Sequence, residues 1–376
     1  MNIPRAIFND LVKHVVPGKV IVLYGPRRVG KTTVLRELVD VLNLKTLFLN
    51  GEAASVKVSF AVNDLIRLEP IVSGHQLLVI DEAQKIPEIG DRLKLLVDGL
   101  PQLRIVTSGS SSFDLARQVG EPLTGRKITY VLYPIAQMEL MGEENRLESQ
   151  TKLPERLIFG SYPETLFTPN QEEKIRYLGE LCDSYLYKDI LELEGLRNTG
   201  KVRDILGLLA FQIGHEVSVN EIAQSVELSR NTVFKYLELL EKAFVIKRIG
   251  GFSRNLRNEI KKNDRYYFYD NGVRNTLIGN FNDLKLRNDI GQLWENYVVM
   301  ERIKKLSYTQ KITNYYFWRT HDKQEIDWVE EAGGQLTGYE ISWKAKKKKI
   351  PSHWRQAYSQ AGFTQITQDN YWEFIV

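Results

Sequence analysis

The chain has 376 residues, of which 43% are hydrophobic and 26% charged, and carries a formal net charge of +4. That length predicts two or three domains, and that composition predicts globular rather than disordered or fibrous chain. One cysteine, Cys182, excludes an internal disulfide framework and a thiolate metal site, and no apolar run reaches signal-peptide or membrane-span length, so a cytoplasmic protein with no membrane partner is expected.

Residues 5–16 predict a short amphipathic helix with Ile7, Leu11 and Val15 on one side. KVIVLY, from Lys19 to Tyr24, reads as a buried strand. TTVLRELVDVL, from Thr32 to Leu42, reads as a helix with Val34, Leu35, Leu38, Val41 and Leu42 at helical spacing. Between them GPRRVGKT, Gly25 to Thr32, fits G-x-x-x-x-G-K-[ST] without a gap. A strand, a glycine loop and a helix N-terminus place successive backbone N–H groups around a phosphate. Gly25, Pro26, Arg27, Arg28, Val29, Gly30, Lys31, Thr32 and Thr33 are therefore the candidate nucleotide contacts. Lys31 is expected against the β- and γ-phosphates, and the Thr32 hydroxyl on Mg²⁺.

TLFLN, Thr46 to Asn50, predicts a second strand, and about Ser59 to Ile71 a helix. Leu77 to Ile80 form an apolar strand ending in Asp81 and Glu82, the Walker B pattern. Asp81 is expected to hold the Mg²⁺ shell through water, and Glu82 to orient or deprotonate the attacking water. RIVT, from Arg104, reads as a further core strand. The hydroxyls of Ser108, Ser110 and Ser111 follow it, where a polar sensor of the γ-phosphate or a plain serine turn would lie. Arg126 precedes the strand KITYVL. An arginine there can neutralise transition-state charge, in cis or from a neighbouring subunit, or can be a solvated loop residue.

GPRRVGKTT, LLVIDEAQKIP, VTSGSSS and LTGR…YPIAQMEL together resemble the AAA-type ATPases of bacteria and archaea that carry a poorly characterised C-terminal half. The resemblance covers nearly the whole chain and is strongest to about residue 140. It implies a P-loop sheet, ATP binding and hydrolysis, with Glu82 as the catalytic glutamate, Ser108 to Ser110 as the sensor and Arg126 at the family's Gly-Arg position. It names no substrate.

Leu147 to Leu193 is helical in pattern, broken at FGSYPETL by Gly160 and Pro163; a similar Gly-x-Pro segment in that family suggests a hinge. YLYKDILELEGLRN, Tyr185 to Asn198, predicts more helix and then a loop at Gly195. Between residues 201 and 250 three amphipathic helices joined by short turns precede a strand. Ser218 with Glu221 makes a capping box, Ser229 caps the third helix, and Val233, Tyr236, Leu237 and Leu240 form its apolar stripe. This is the winged helix-turn-helix pattern. A DNA-binding version would place Arg230, Asn231, Thr232 and Lys235 in the major groove of double-stranded DNA. Glu227, Glu238 and Glu241 weigh against that, while Arg254, Arg257, Lys261, Lys262 and Arg265 weigh for it. A protein-contact surface is the alternative.

RYYFYDNGVRN reads as a strand ending at Asp270 and a turn at Asn271-Gly272. Asp289 to Lys305 reads as a helix with Leu293, Tyr297, Met300 and Ile303 inward, followed by the strands NYYFWR, QEIDWVEE and LTGYEISW. HWRQAYSQAGF and YWEFIV predict a helix and a last edge strand. Glu295, Asp327 and Glu340 resemble the acid set of the PD-(D/E)xK nuclease fold, in which strand acids hold a divalent metal and a lysine polarises water. The lysine position here is Ser342. Lys344 or Lys346 would have to replace it, and the tract KAKKKK offers phosphate contacts instead.

The sequence thus predicts an α/β protein: a P-loop ATPase domain at 1–142, a helical lid or linker at 143–200, a winged helix at 201–265 and an inactive nuclease-like domain at 266–376. ATP and Mg are the expected cofactors. The expected partners are nucleotide, double-stranded DNA or a protein, and further copies of the chain if an arginine acts in trans. An ATP-controlled DNA-binding switch with slow turnover and an ATP-gated metal-dependent nuclease stand as alternatives.

Overall fold

A computed structural model describes residues 3–110, 123–184, 199–253, 263–344 and 348–376. The chain divides into two units. One comprises residues 2–134 with Lys242–Phe244, and the other residues 135–241 and 245–376.

The first unit is a five-stranded sheet with every pairing parallel: β1 (Val20–Tyr24), β2 (Thr46–Asn50), β3 (Leu77–Asp81), β4 (Arg104–Gly109) and β5 (Lys127–Val131). Their order across the sheet is β2-β3-β4-β1-β5. The inner strands β1 and β3 are buried at every position, as a parallel sheet covered on both faces requires, whereas the edge strand β2 is half exposed. Helices α1 (Phe8–His14), α2 (Lys31–Leu42), α3 (Ala54–Ser59), α4 (Leu65–Val72) and α5 (Ile89–Gly99) accompany the sheet. This is the P-loop arrangement expected from the sequence. Because β4 is inserted between β1 and β3, the carboxyl ends of the loop strand and the Walker B strand flank a third strand end.

Two local expectations shift. Val34, Leu35 and Leu38 are the buried face of α2, but Val41 is 56% exposed, because the stripe drifts off the sheet by the last turn. The helix expected from Ser59 instead starts at Leu65, where the Asp64 carboxylate accepts the Ile66 N–H at 3.0 Å. Ser59 ends the separate helix α3.

The second unit begins with α6 (Arg146–Phe159), α7 (Pro163–Phe167) and α8 (Gln171–Leu181). Asn145 and Glu148 form a reciprocal capping box at the start of α6. The helix expected over Tyr185 to Asn198 lies outside the described residues. Next come α9 (Thr199–Phe211), β6 (Glu216–Val217), α10 (Val219–Ser225), α11 (Arg230–Lys242), β7 (Ile246–Ile249) and β8 (Asp264–Phe268), the strands forming an antiparallel sheet in the order β6-β8-β7. Ser218 and Ser229 accept the N–H groups of Glu221 and Thr232 at 3.3 and 3.1 Å. Val233, Tyr236, Leu237 and Leu240 are all buried.

The segment read as a turn after Asp270 is a helix, α12 (Asn271–Leu277), because the Asp270 carboxylate caps Gly272 and Val273. α13 (Ile290–Tyr308) is buried on nearly all sides; several of its buried polar groups are paired, while Trp294 Nε1 takes no hydrogen-bond partner among the described residues. The Asn296 amide bonds the Phe268 backbone twice, and Arg302 forks onto Glu330 at 2.6 and 2.8 Å. β9 (Asn314–Arg319), β10 (Glu325–Ala332) and β11 (Gln335–Ile341) form the expected meander, with a register shift between Ile326 and Val329. α14 (Ser352–Ala357) leads to β12 (Gly362–Ile366), which pairs parallel to β11 and makes the sheet mixed. Phe252, Trp318, Ile326, Val329 and Trp354 form a core cluster there. The final YWEFIV is a helix, α15 (Tyr371–Ile375), and not an edge strand. Its buried Tyr371, Phe374 and Ile375 stand at i, i+3 and i+4, a helical period hidden in a short apolar run.

Gly160, expected in a hinge, is packed tightly. It follows α6 at φ +74°, and a Cβ there would lie 1.9 Å from the Asp270 carboxylate that also accepts the Ser161 N–H at 2.7 Å. Gly160→Ala should therefore destabilise the chain by at least about 2 kcal/mol, through backbone strain and displacement of the Asp270 cap. Gly179→Ala, inside α8 with open space around it, should stabilise slightly. Thermal unfolding of both variants tests the contrast.

Candidate functional site

The candidate nucleotide site lies at the carboxyl ends of β1, β4 and β3, the side of an open α/β sheet where ligands bind. Gly25 leaves β1 at φ +152°, and a Cβ on it would fall 2.1 Å from the Leu132 carbonyl oxygen, so the loop passes the end of β5 at a distance only glycine allows. Gly30, left-handed at φ +97°, caps α2, and Lys31 opens that helix. The buried Lys31 ammonium donates to the Gly25 and Pro26 carbonyls at 3.0 and 2.9 Å. Pro26 and Val29 are buried, Arg27, Gly30 and Thr32 half-buried, and Arg28 and Thr33 exposed.

Thr32 Oγ1 donates to Asp81 Oδ2 at 2.6 Å, and Ser108 Oγ donates to Asp81 Oδ1. Ser108 also accepts the Glu82 N–H at 3.2 Å. The structure thus brings Lys31, Thr32, Asp81, Glu82 and Ser108 together across three strand ends. Glu82 adopts a left-handed backbone at φ +52°, uncommon for a residue with a side chain and typical of strained functional turns. Ser110 joins the set through Gln84, whose amide donates to Ser110 Oγ at 3.0 Å and to Glu82 Oε2 at 2.5 Å. Ser111 lies outside the described residues.

Arg126 does not join them. It precedes β5, and its carbonyl accepts the N–H of Val20, the first residue of β1. It therefore stands at the opposite end of these strands, a strand length of about 15 Å from the loop. Its guanidinium pairs there with Asp98 at 2.6 Å, both side chains 42% exposed. That placement sets it apart from the loop of its own chain.

Two groups at this site carried no signal in the sequence. Buried Arg5 donates to the Val29 carbonyl of the loop and to the Tyr133 carbonyl, both at 2.7 Å, and so ties the N-terminal segment to both. Gln84 is the other. A lone arginine before a short helix and a glutamine two residues after an acid follow no pattern that distinguishes them from surface residues.

In the second unit, α11 exposes Arg230, Asn231, Phe234, Lys235 and Glu238 in one stripe, with Thr232 half-buried beside Ser229. Of the acids weighed against DNA, Glu241 is paired with Lys247 at 2.9 Å and Glu227 lies 3.8 Å from Lys201, while Glu238 remains exposed. Arg265, counted among the basic residues that weigh for DNA, is 1% exposed. Arg254, Arg257, Lys261 and Lys262 lie outside the described residues.

Arg265 occupies the middle of the nuclease-like acids. Its guanidinium lies 3.3 Å from Asp327, 3.6 Å from Glu295 and 2.8 Å from Glu325. Burial opposes its charge, yet the surrounding Tyr267, Glu295, Asp327 and Glu325 raise its pKa. Asp327 lies in the irregular stretch of β10 and accepts the Ile341 N–H at 2.9 Å. Tyr267 donates to Glu295 at 2.7 Å. Glu340 pairs with Lys348, and neither Ser342 nor the exposed Lys344 makes that contact; Lys346 lies outside the described residues. Among the described residues no group of three His, Cys, Asp or Glu is placed to hold a metal ion. The three acids that resemble a metal-holding set are paired with an arginine and a lysine of the chain.

Residues 17–141 match the family model of an AAA domain, residues 150–284 that of a domain of unknown function (DUF8612), and residues 290–370 that of a second domain of unknown function (DUF4143). An uncharacterized protein of Mycobacterium tuberculosis is 28% identical over 89% of this chain and 71% of its own length. An uncharacterized protein of Methanocaldococcus jannaschii is 23% identical over 97% and 88%, and one of Haemophilus influenzae 25% over 86% and 82%. Among solved structures, Thermotoga maritima RuvB, described as a Holliday junction branch migration motor, is similar at a TM-score of 0.34 and 16% identity, over 65% of this chain and 90% of that one. The AAA match supports an ATPase-type function in general terms. No helix among the described residues is long and apolar enough to cross a membrane.

Burial, and then the Asp327 charge, push Glu295 up to about 8 against the pull of Arg265. Burial and Asp327 likewise push Glu340 up to about 7 against Lys348. An unfolded glutamate loses its proton near about 4.3. Between those limits the folded chain binds more protons, so this contribution is fully present below the lower value and lost as pH rises through the upper. Thermal unfolding followed from about pH 5 to about pH 8 should show falling stability, and Glu295→Gln should flatten the decline.

Proposed function

We propose that the chain is a Mg-dependent ATP-binding and ATP-hydrolysing AAA-type ATPase that couples nucleotide state to a C-terminal half binding nucleic acid or protein. The observation that carries this reading is the Thr32–Asp81 hydrogen bond at 2.6 Å, which joins the start of α2 to the end of β3 beside the buried Lys31. A hydroxyl and a carboxylate are the hard oxygen donors that Mg²⁺ takes, so the residues present fit the ion. When bound, it neutralises charge on the phosphate oxygens. Thr32 and Asp81 would hold it, Asp81 through water. The loop N–H groups and Lys31 bind the phosphates, Ser108 positions Asp81 and the Glu82 backbone, and Glu82 orients and deprotonates water. Arg126, at the far end of the strands, serves only a neighbouring copy on this reading.

A DNA-binding role for α11 is supported by its exposed Arg230, Asn231 and Lys235 and by the helix and strand order β6-α10-α11-β7-β8, which is that of a winged helix. The metal-dependent nuclease has the Arg265 contacts and Ser342 against it, and we do not adopt it.

Steady-state ATP hydrolysis with and without duplex DNA tests the proposal. Lys31→Ala should lose nucleotide binding and turnover together. Glu82→Gln should keep nucleotide and lose about 100-fold in turnover; unchanged turnover in that variant removes Glu82 as the base. DNA affinity should fall steeply with salt and weaken in Lys235→Ala. Binding indifferent to salt and to Lys235 would move the C-terminal half to a protein partner.

A further inference from the structure

We infer that Gln84 is a positioning residue for the hydrolytic step, an inference that rests on the ATPase reading above. Gln84 lies in the 3₁₀ turn Ala83–Lys85 immediately after Glu82 and is 8% exposed. The left-handed backbone at Glu82 takes that side chain out of the register of β3, so a side-chain contact must set where its carboxylate points. Gln84 supplies it. Its amide nitrogen has two protons, one donated to Glu82 Oε2 at 2.5 Å and the other to Ser110 Oγ at 3.0 Å. An ionised carboxylate only accepts, which fixes the nitrogen toward Glu82 and leaves the amide oxygen as the remaining acceptor.

That oxygen, Gln84 Oε1, is buried and takes no hydrogen bond among the described residues. A dry acceptor is unfavourable, so it calls for a donor. Gln84 bears on the reaction through its nitrogen, which holds the Glu82 carboxylate that takes the proton of the attacking water. In the step, the water O–H bond breaks and its proton goes to Glu82. The oxygen forms a bond to the terminal phosphorus, and the bond from that phosphorus to the bridging oxygen breaks, leaving ADP and inorganic phosphate. Glu82 then returns its proton to solvent. Gln84 holds the base in place by its nitrogen. Through Ser110 it also ties this arrangement to the end of β4, whose Ser108 contacts Asp81.

The test measures kcat and KM for ATP, and Kd for a fluorescent ATP analogue, in the full chain. The variants are Gln84→Leu, Gln84→Asn, Glu82→Gln and the double Glu82→Gln/Gln84→Leu. Gln84→Leu keeps the volume and removes both hydrogen-bonding ends. It should lower kcat by about 10- to 100-fold while Kd stays within about threefold, and Gln84→Asn should fall between it and wild type. Because Gln84 acts through Glu82, the double variant should fall no further than Glu82→Gln alone. Wild-type turnover that Gln84→Leu retains would overturn the inference. So would a Kd that weakens as much as kcat falls, or losses that add in the double variant, since either marks a structural brace. No turnover by wild type would instead overturn the ATPase reading and this inference with it.

Discussion

The candidate site depends on the two oxygens of one buried carboxylate. Asp81 ends a strand buried at every position and accepts Thr32 on one oxygen and Ser108 on the other. Those two hydroxyls come from the helix after β1 and from the end of β4, so three parts of the sheet meet at Asp81. The meeting is possible only because β4 lies between β1 and β3. Everything else at the site is referred to that point. Ser108 passes the constraint to the Glu82 backbone, and Gln84 passes it on from Glu82 to Ser110.

The second unit handles its acids by a different rule. Glu295, Asp327 and Glu340 face a low-dielectric interior, where unpaired carboxylates are costly. A divalent ion is one solution, and a guanidinium with several donors is another. Here Arg265 reaches Asp327, Glu295 and Glu325 from β8, and Lys348 takes Glu340. Charge balance is met within the chain, at the cost of leaving two carboxyls with raised pKa values.

The first unit was largely legible because its motif is local and its flanks are periodic. GPRRVGKT carries strand, loop and helix in one continuous stretch, and LLVIDE repeats the logic at β3. What the sequence did not disclose is non-local. Arg126 looked like a candidate next to a strand, but whether it faces the loop depends on which end of β5 it occupies, and only parallel pairing to Val20 decides that. Arg265 read as one more basic residue because nothing in RYYFYD says which face of β8 is covered. The last six residues were misread for another reason. A five-residue apolar helix and a five-residue apolar strand differ only in period, and so short a run samples either period once.

The close passage of Gly25 beneath the Leu132 carbonyl has a consequence for how the site comes into being. The loop and its helix are complete by residue 42, yet the surface they turn against belongs to a strand about ninety residues further on. Arg5 adds a second tie of longer span, from the N-terminal segment to Tyr133, 128 residues on. During synthesis, a ribosome that has released only the first hundred residues carries every motif of the loop but neither Leu132 nor Tyr133. Nucleotide affinity should therefore appear late and abruptly along the nascent chain, when β5 docks, because contacts of long sequence separation form last. Ligand capture then marks the end of folding of the first unit and cannot serve as its nucleus.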